Sequence, residues 1–345
     1  MDLSDLLPFS VFDCWWLAPL ALAMDLALGD PDLPWPHPVV FIGRLLNALE
    51  RPARRFMLAR RRQARLRGKL AGFAALVVLT AATALAARLL LLIPCAGPLF
   101  ALYLAWAGLA MGSLLKTGGI VLERVENRPE KEARSALSWL VSRDTSAMGR
   151  PLMRKTLADT MSENFTDALT APFFWLLVGG PVALWVYKAV STTDSMWGYR
   201  TRRWRWLGCA GARADDCLAF IPARISMAAF WLTDVLARHA FPSRRSWQGR
   251  WPGFTTVSRQ AWGMPSPNSG CPMAACAWLC GARMAGPSVY FGELVQKPWL
   301  GPDESEAAPW DRGRLLILFD LMRLGGLCGM NALWLFLLCL TRFCR

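Results

Sequence analysis

The chain has 345 residues, of which 54% are hydrophobic and only 19% are charged. Soluble domains average about 25% charged residues, so this composition indicates a membrane-embedded body and excludes disordered and disulfide-stapled secreted classes. The 39 basic and 25 acidic residues give a net charge of +14, which in a soluble protein would suggest a nucleic-acid partner. Here the basic residues lie between long apolar runs, as in cytoplasmic loops that obey the positive-inside bias. We therefore expect no nucleic-acid partner.

The apolar runs, taken in chain order, predict the membrane segments. A first run covers 12–28, and an arginine-rich stretch, 51–69, follows on the cytoplasmic side. The runs 70–93 and 99–115 are separated by a tight turn with two prolines. Each is close to the roughly 20 residues that cross a bilayer, so together they predict a hairpin of spanning helices.

The second half of the chain is harder to place. The run 169–190 is interrupted by Gly179-Gly180-Pro181. The mixed-charge segment 116–166 before it and the basic residues at 200–205 after it are both predicted to be cytoplasmic, which one full crossing does not allow. Broken backbone at membrane depth is tolerated where it is buried in protein, so we predict a re-entrant or interfacial hairpin near 169–190. The run 218–236 raises the same difficulty, and 315–340 predicts a last span.

The fold class that follows is all-α: a polytopic integral membrane protein with about four to five transmembrane helices and cytoplasmic helical loops. We expect a single membrane-embedded domain over 1–345. Its segments 116–166, 198–216 and 241–311 are predicted to face the cytoplasm. The last of these, rich in Pro, Gly, Ser and Trp, is predicted to be a long loop because it shows no periodic pattern.

Several familiar signatures are absent from the sequence. It has no C-x-x-C pair among its ten cysteines, so these predict small apolar packing residues rather than a zinc site. It has no P-loop, no dinucleotide fingerprint and no H-E-x-x-H motif. With two histidines available, acid–base work is expected to fall mainly to carboxylates and lysines.

Polar side chains concentrate in six clusters: 25–44, 142–145, 159–167, 187–199, 212–224 and 265–270. In the third, Asp159, Glu163 and Asp167 are spaced to share one helix face, where they repel one another unless a cation or basic group lies among them. Such oxygen ligands suit Mg²⁺, although a solvated acidic face is the alternative. The hydroxyl-rich cluster 187–199 is either a ligand-binding turn or a set of helix caps.

These clusters, in their order and spacing, resemble the CobD/CbiB family of cobalamin biosynthesis, the adenosylcobinamide-phosphate synthases. The resemblance covers roughly residues 20 to 300, and Ser142-Arg143-Asp144-Thr145 and Thr193-Asp194-Ser195-Met196 are typical of its motifs. The chain departs from the family pattern at Ser191 and Ala219, where the family has Asn, and at Ala168, where it has Gly. The matching stretches are 26–31, 37–39, 42–45, 142–145, 162–164, 171–174, 179–181, 187–190, 193–196, 198–199, 212–213, 215–216, 221–224, 266–270 and 290–292.

The resemblance implies a multi-pass, ATP-dependent ligase of the inner cell membrane that uses Mg²⁺ and ATP. It would join aminopropanol or its O-phosphate to a carboxylate of adenosylcobyric acid, and other late corrinoid-pathway membrane enzymes would be possible partners. Candidate metal ligands are Asp144, Glu163 and Asp167, and candidate acceptors of the amine proton are Asp194, Asp215 and Asp216. Candidate substrate- and phosphate-binding residues are Asp30, His37, Arg44, Arg143, Thr145, Asn164, Lys188, Ser195, Tyr199, Arg224, Ser266 and Asn268.

Two other classes remain open from the sequence. A polytopic transporter is favoured by the intramembrane polar residues Asp25 and Arg88 and by the broken run at Gly179-Gly180-Pro181. Against it, the polar clusters lie in loops and no inverted repeat is evident. A membrane scaffold for corrinoid-pathway enzymes is the third class, and ATP consumption separates the three.

Overall fold

The computed structural model describes residues 15–31, 34–141, 143–199, 201–240, 249–290 and 292–343. Over these residues the predicted all-α fold is confirmed, with only two short antiparallel strand pairs. Five helices in the described ranges are long and apolar enough to cross a membrane: Ala64–Leu91, Gly97–Asn127, Arg150–Trp197, Phe220–His239 and Arg312–Leu340. The motif residues Ser142 and Phe291 and the first residues of the run 12–28 lie outside the described ranges.

The helices and strands have the following bounds. The helices are α1 Leu17–Leu28, α2 Pro38–Leu58, α3 Ala64–Leu91, α4 Gly97–Gly108, α5 Met111–Asn127, α6 Glu130–Leu137, α7 Arg150–Phe165, α8 Ala171–Trp197, α9 Cys209–Leu218, α10 Phe220–Ala240, α11 Phe254–Trp262, α12 Gly270–Cys280 and α13 Arg312–Phe343. The strands are β1 Met284–Ala285, β2 Ser288–Tyr290, β3 Glu293–Val295 and β4 Trp299–Leu300. A short 3₁₀ turn, Arg61–Gln63, precedes α3, and a π-helical segment, Thr166–Thr170, follows α7.

The chain divides into two compact units. The first comprises 1–110, 171–219 and 334–345, and the second comprises 111–170 and 220–333. The candidate spans Gly97–Asn127 and Arg150–Trp197 overlap the segment 116–166, which the sequence analysis assigns to the cytoplasm. The side of the membrane on which this segment lies stays a prediction.

In the first unit, glycines let the helices approach closely. A methyl group at Gly72 of α3 would lie 2.0 Å from the Leu207 carbonyl oxygen, and one at Gly108 of α4 would lie 2.0 Å from a Leu184 methyl group of α8. The predicted hairpin is present, with α3 and α4 joined by the turn after Leu91, but the predicted run 99–115 is interrupted between Gly108 and Met111. Close backbone contact of this kind is how small residues promote helix packing at membrane depth.

Helix α8 is broken where the sequence predicts an interruption. Gly179 has φ −144° and ψ 24°, and Gly180 has φ 66° and ψ −164°, so neither residue is helical. The left-handed φ of Gly180 favours glycine, and Pro181 next to it supplies no backbone N–H to continue the helix. Whether this break marks a re-entrant segment stays a prediction.

In the second unit, the prediction of a long loop over 241–311 is wrong for its described residues. Two helices, α11 and α12, and all four strands lie there. Helix α12 is buried around nearly its whole circumference, including Cys271, Cys276 and Cys280, which confirms these cysteines as packing residues. A helix that is apolar on every face has no amphipathic period, which is why the sequence pattern did not reveal it.

Candidate functional site

A buried ion cluster in the second unit surrounds Asp159 on α7. The Asp159 side chain is fully buried, and its Oδ2 accepts from Arg143 Nη1 at 2.7 Å and from Lys155 Nζ at 3.0 Å. Its Oδ1 accepts from the backbone N–H of Ala285 at 2.9 Å. The alternative of a solvated acidic face therefore does not hold for Asp159, whose charge is balanced by basic side chains as buried carboxylates require.

Glu163 lies one helical turn further along α7 and is half-buried. It interacts electrostatically with the cations Lys297 and Arg143 and with the carboxylates of Asp159 and Asp167. The structure thus brings together the predicted residues Arg143, Glu163 and Asp167. Asn164, by contrast, donates its amide to the Thr160 carbonyl oxygen of its own helix at 2.9 Å.

The other two residues of the 143–145 motif have local partners. Asp144 is exposed, and its Oδ1 accepts from the Ser146 backbone N–H at 2.9 Å, which lowers the pKa of this carboxyl below its usual range. Thr145 Oγ1 donates to the Arg134 carbonyl oxygen at 3.2 Å. In the part of the chain that the structure describes, no three His, Cys, Asp or Glu side chains form a group that holds a metal. Mg²⁺ binding by Asp144, Glu163 and Asp167 stays a prediction.

A second contact between predicted residues joins Arg224 of α10 to the turn before α12. Arg224 Nη1 donates to Asn268 Oδ1 at 2.9 Å, and Nη2 donates to the Pro267 carbonyl oxygen at 3.0 Å. The guanidinium lies over the Phe220 ring, 3.6 Å from its centre. Within the turn, the Asn268 N–H donates to Ser266 Oγ at 3.3 Å. The Arg224 guanidinium thus donates to two oxygens of the protein itself, and binding of a substrate carboxylate or phosphate by Arg224 stays a prediction.

We expect Arg224→Lys to destabilise the protein, because lysine replaces the planar fork with a point charge. Losing the hydrogen bonds to Asn268 and Pro267 should cost about 1–3 kcal/mol. Thermal unfolding of the detergent-purified variant measures this, with the exposed Arg259→Lys as the matched control. An unchanged melting temperature in Arg224→Lys, with Asn268→Ala equally silent, would contradict the assignment.

In the first unit, His37 caps the start of α2. Its Nδ1 accepts from the Val39 N–H at 3.3 Å, and its Nε2 donates to the Ala107 carbonyl oxygen at 2.9 Å. These roles require the neutral imidazole, and burial lowers the pKa of His37 despite the nearby carboxylate of Asp30. Lys188 of α8 lies close enough to lower it further. The structure therefore groups Asp30, His37 and Lys188.

The lowered pKa of His37 predicts a pH dependence of stability. Below the unfolded value of about 6.5, unfolded chains bind a proton that the folded protein disfavours, so stability falls as the pH drops. We expect the melting temperature to fall between pH 7.5 and pH 5.5 more in wild type than in His37→Asn, which keeps a capping side chain. Equal slopes in both proteins would show that another group is responsible.

The remaining predicted residues of the first unit lie on α2, α8 and α9, except Tyr199, which follows the end of α8. Gly43, next to Arg44, packs on Met196, and Gly211 of α9 packs on Thr193, so three polar motifs meet through these helix contacts. Asp194 packs against Gly198, where an added methyl group would lie 2.1 Å from Oδ1. Asp215 and Asp216 are half-buried on α9, whereas Arg44, Ser195 and Tyr199 are exposed.

Comparison with known proteins decides the family. A family model described as CobD/Cbib protein matches residues 18–319. The chain belongs to the CobD/CbiB family. It is 40% identical over 289 residues to the cobalamin biosynthesis protein CobD of Pelobacter propionicus, covering 82% of this chain and 83% of the relative. It is 35% identical over 305 residues to CobD of Klebsiella pneumoniae (87% and 91%) and 33% identical over 303 residues to CbiB of Salmonella typhimurium (87% and 91%). No solved structure matches the chain.

Membership of the CobD/CbiB family supports a role in cobalamin biosynthesis, which implies corrinoid-related substrates. The five candidate spans agree with a multi-pass membrane protein that contacts the lipid bilayer. The first statement agrees with the resemblance drawn from the motifs, and the second agrees with the prediction from the apolar runs.

Sequence reasoning missed two cations of the second unit. Lys155 lies four residues before Asp159 on α7, and this i, i+4 spacing is the sequence signal that predicts their ion pair. Lys297 lies in a segment without periodicity, more than a hundred residues from Glu163. Only the tertiary structure brings Lys297 within electrostatic range of Glu163.

Proposed function

We propose that the chain is an ATP-dependent amide ligase of the inner cell membrane. It attaches aminopropanol or its O-phosphate to a carboxylate of adenosylcobyric acid, giving adenosylcobinamide or its phosphate. The observation that supports this most directly is the grouping of Arg143 and Lys297 with Glu163 and Asp167 in the second unit. Mixed cations and carboxylates are what the phosphates of a metal-bound nucleotide require.

The reaction needs an activated carboxylate, because a carboxylate does not condense with an amine in water. In the proposed sequence a corrinoid carboxylate oxygen attacks the γ-phosphorus of ATP, and the bond to ADP breaks. The amine then attacks the acyl carbon, inorganic phosphate leaves with the carboxylate oxygen, and one amine proton is released. Such phosphoryl transfer is catalysed mainly by positioning and charge neutralisation.

The second unit would bind the nucleotide. Arg143 would hold phosphate oxygens through its guanidinium, and Glu163 and Asp167 would hold Mg²⁺ together with the phosphates of the nucleotide. The ion supplies positive charge that neutralises the transferred phosphoryl group. Carboxylate oxygens are ligands that suit this hard cation.

The first unit carries further predicted substrate-binding residues and the predicted proton-accepting residues. Lys188 lies within electrostatic range of His37, as does Asp30. The Lys188 ammonium is suited to bind a substrate carboxylate or phosphate. Asp194, Asp215 and Asp216 are the groups proposed to accept the amine proton. His37 would act by fixing the start of α2, since both its ring nitrogens contact the backbone.

Purified protein supplied with adenosylcobyric acid, MgATP and either aminopropanol or its O-phosphate tests the proposal. We expect one ADP for each amide formed, with the amide product detected by mass spectrometry and the better amine revealed by kcat/KM. Corrinoid movement across proteoliposomes without amide formation would favour a transporter instead. A protein that binds corrinoid-pathway enzymes but shows neither amide formation nor corrinoid transport would be a scaffold.

A further inference from the structure

The segment that contains Lys297 is held by a strand pair. Strand β1 pairs with β4 in antiparallel register, Met284 with Leu300 and Ala285 with Trp299. The Gly286 N–H donates to the Pro298 carbonyl oxygen at 3.0 Å, next to Lys297 itself. The backbone on the C-terminal side of Lys297 is therefore fixed to β1.

Strand β1 is in turn anchored to the buried ion cluster on α7. Asp159 accepts from the Ala285 N–H, and Lys155 Nζ donates to the Ala285 carbonyl oxygen. The Lys155 ammonium also lies 5.1 Å from the centre of the Trp299 ring on β4. Ala285 has a φ of 59°, which L-residues rarely adopt, so these two charged contacts stabilise a backbone conformation that is otherwise unfavourable.

The segment fixed in this way includes Lys297, whose charge lies within electrostatic range of Glu163. Asp159 is already engaged by Arg143, Lys155 and Ala285. Lys297 interacts electrostatically with both Glu163 and Lys155 and is half-buried. A flexible ammonium next to a candidate metal ligand is suited to a phosphate oxygen as a point charge.

We propose that Lys297 binds a phosphate oxygen of the nucleoside triphosphate, and that Lys155 and Asp159 are positioning residues that hold it beside Glu163. This inference rests on the proposed function, because it assigns the nucleotide to the same group of side chains.

The first test is the affinity of the detergent-purified protein for MgATP. Lys297→Met should raise the Kd by about 10- to 100-fold, as expected for losing a charged hydrogen bond. Lys297→Arg, which keeps the charge, should retain most of the affinity, and the exposed Lys131→Met in the same unit is the matched control. A Kd for Lys297→Met equal to that of wild type would overturn the assignment.

The second test separates positioning from general stability by a double-mutant cycle. If Lys155 acts through Lys297, Lys155→Met should weaken MgATP binding alone and add little in the Lys297→Met background. Additive effects would overturn the positioning role. Lys155→Arg is the second variant, since it keeps a cation beside Asp159 if the methionine protein fails to fold.

The outcomes also distinguish this inference from the proposed function. Wild-type protein that neither binds MgATP nor forms an amide would contradict both. Wild-type binding and turnover that survive unchanged in Lys297→Met would contradict the inference alone and leave the ligase proposal standing.

Discussion

Replacing Glu163 by glutamine should lower ATP-dependent amide formation by about two orders of magnitude or more, because the amide removes an anionic ligand from the proposed Mg²⁺ site. The side chains differ little in size, so folding should be preserved. The measurement is kcat/KM at saturating amine over a range of Mg²⁺ concentrations, with the melting temperature measured in parallel. Excess Mg²⁺ should partly restore the activity of the milder variant Glu163→Asp.

The matched control for this prediction is Glu130→Gln. Glu130 is an exposed residue of α6 in the same unit, paired with Arg134 one turn away. The Glu130→Gln variant should be as active as wild type, since exposed ion pairs contribute little to stability. Near-normal turnover of Glu163→Gln would move the metal to other carboxylates, with Asp144 the next candidate.

Replacing Asp159 by alanine should cost about 3–5 kcal/mol of stability, because it leaves buried charges without a partner. The Arg143 and Lys155 side chains are only 5% and 10% exposed, so water cannot readily solvate them. The free Ala285 N–H would be a further unsatisfied group. Thermal unfolding in detergent, followed by circular dichroism, should show the loss as a lower melting temperature.

Two further variants sharpen this second prediction. Asp144→Ala, at an exposed position of the same region, should leave the melting temperature unchanged. Adding Arg143→Met and Lys155→Met to Asp159→Ala should recover stability, since removing the whole charged cluster removes its desolvation cost. Failure of the combined variant to recover any stability would show that Asp159 acts mainly through Ala285.

Some elements were predictable because their signals are local. The spanning hairpin of α3 and α4 follows from apolar length, and the break at Gly179 and Gly180 follows from a Gly-Gly-Pro run. Helix α12 was missed for a physical reason: its buried, uniformly apolar surface carries no period. The two strand pairs near it consist of strands of two or three residues, too short for an alternating pattern.

The candidate residues were found by type and spacing, but their partners were not. The spacing of Asp159, Glu163 and Asp167 on one helix face was readable, whereas the pairing of Asp159 with Arg143 depends on how the chain before α7 folds back. The contact of Arg224 with Asn268 joins residues that are 44 positions apart. The sequence around each of them does not indicate that the other is its partner.

The sequence by itself determined the all-α membrane class and the family resemblance, because apolar length, basic loops and serial motifs are properties of the chain alone. Only the tertiary structure decided which charges meet. It placed Lys155 and Arg143 on the buried Asp159, the His37 ring between two backbone groups, and the charge of Lys297 within electrostatic range of Glu163. The reason is that a buried charge or polar group must find its partner in space, and that partner can lie anywhere along the chain.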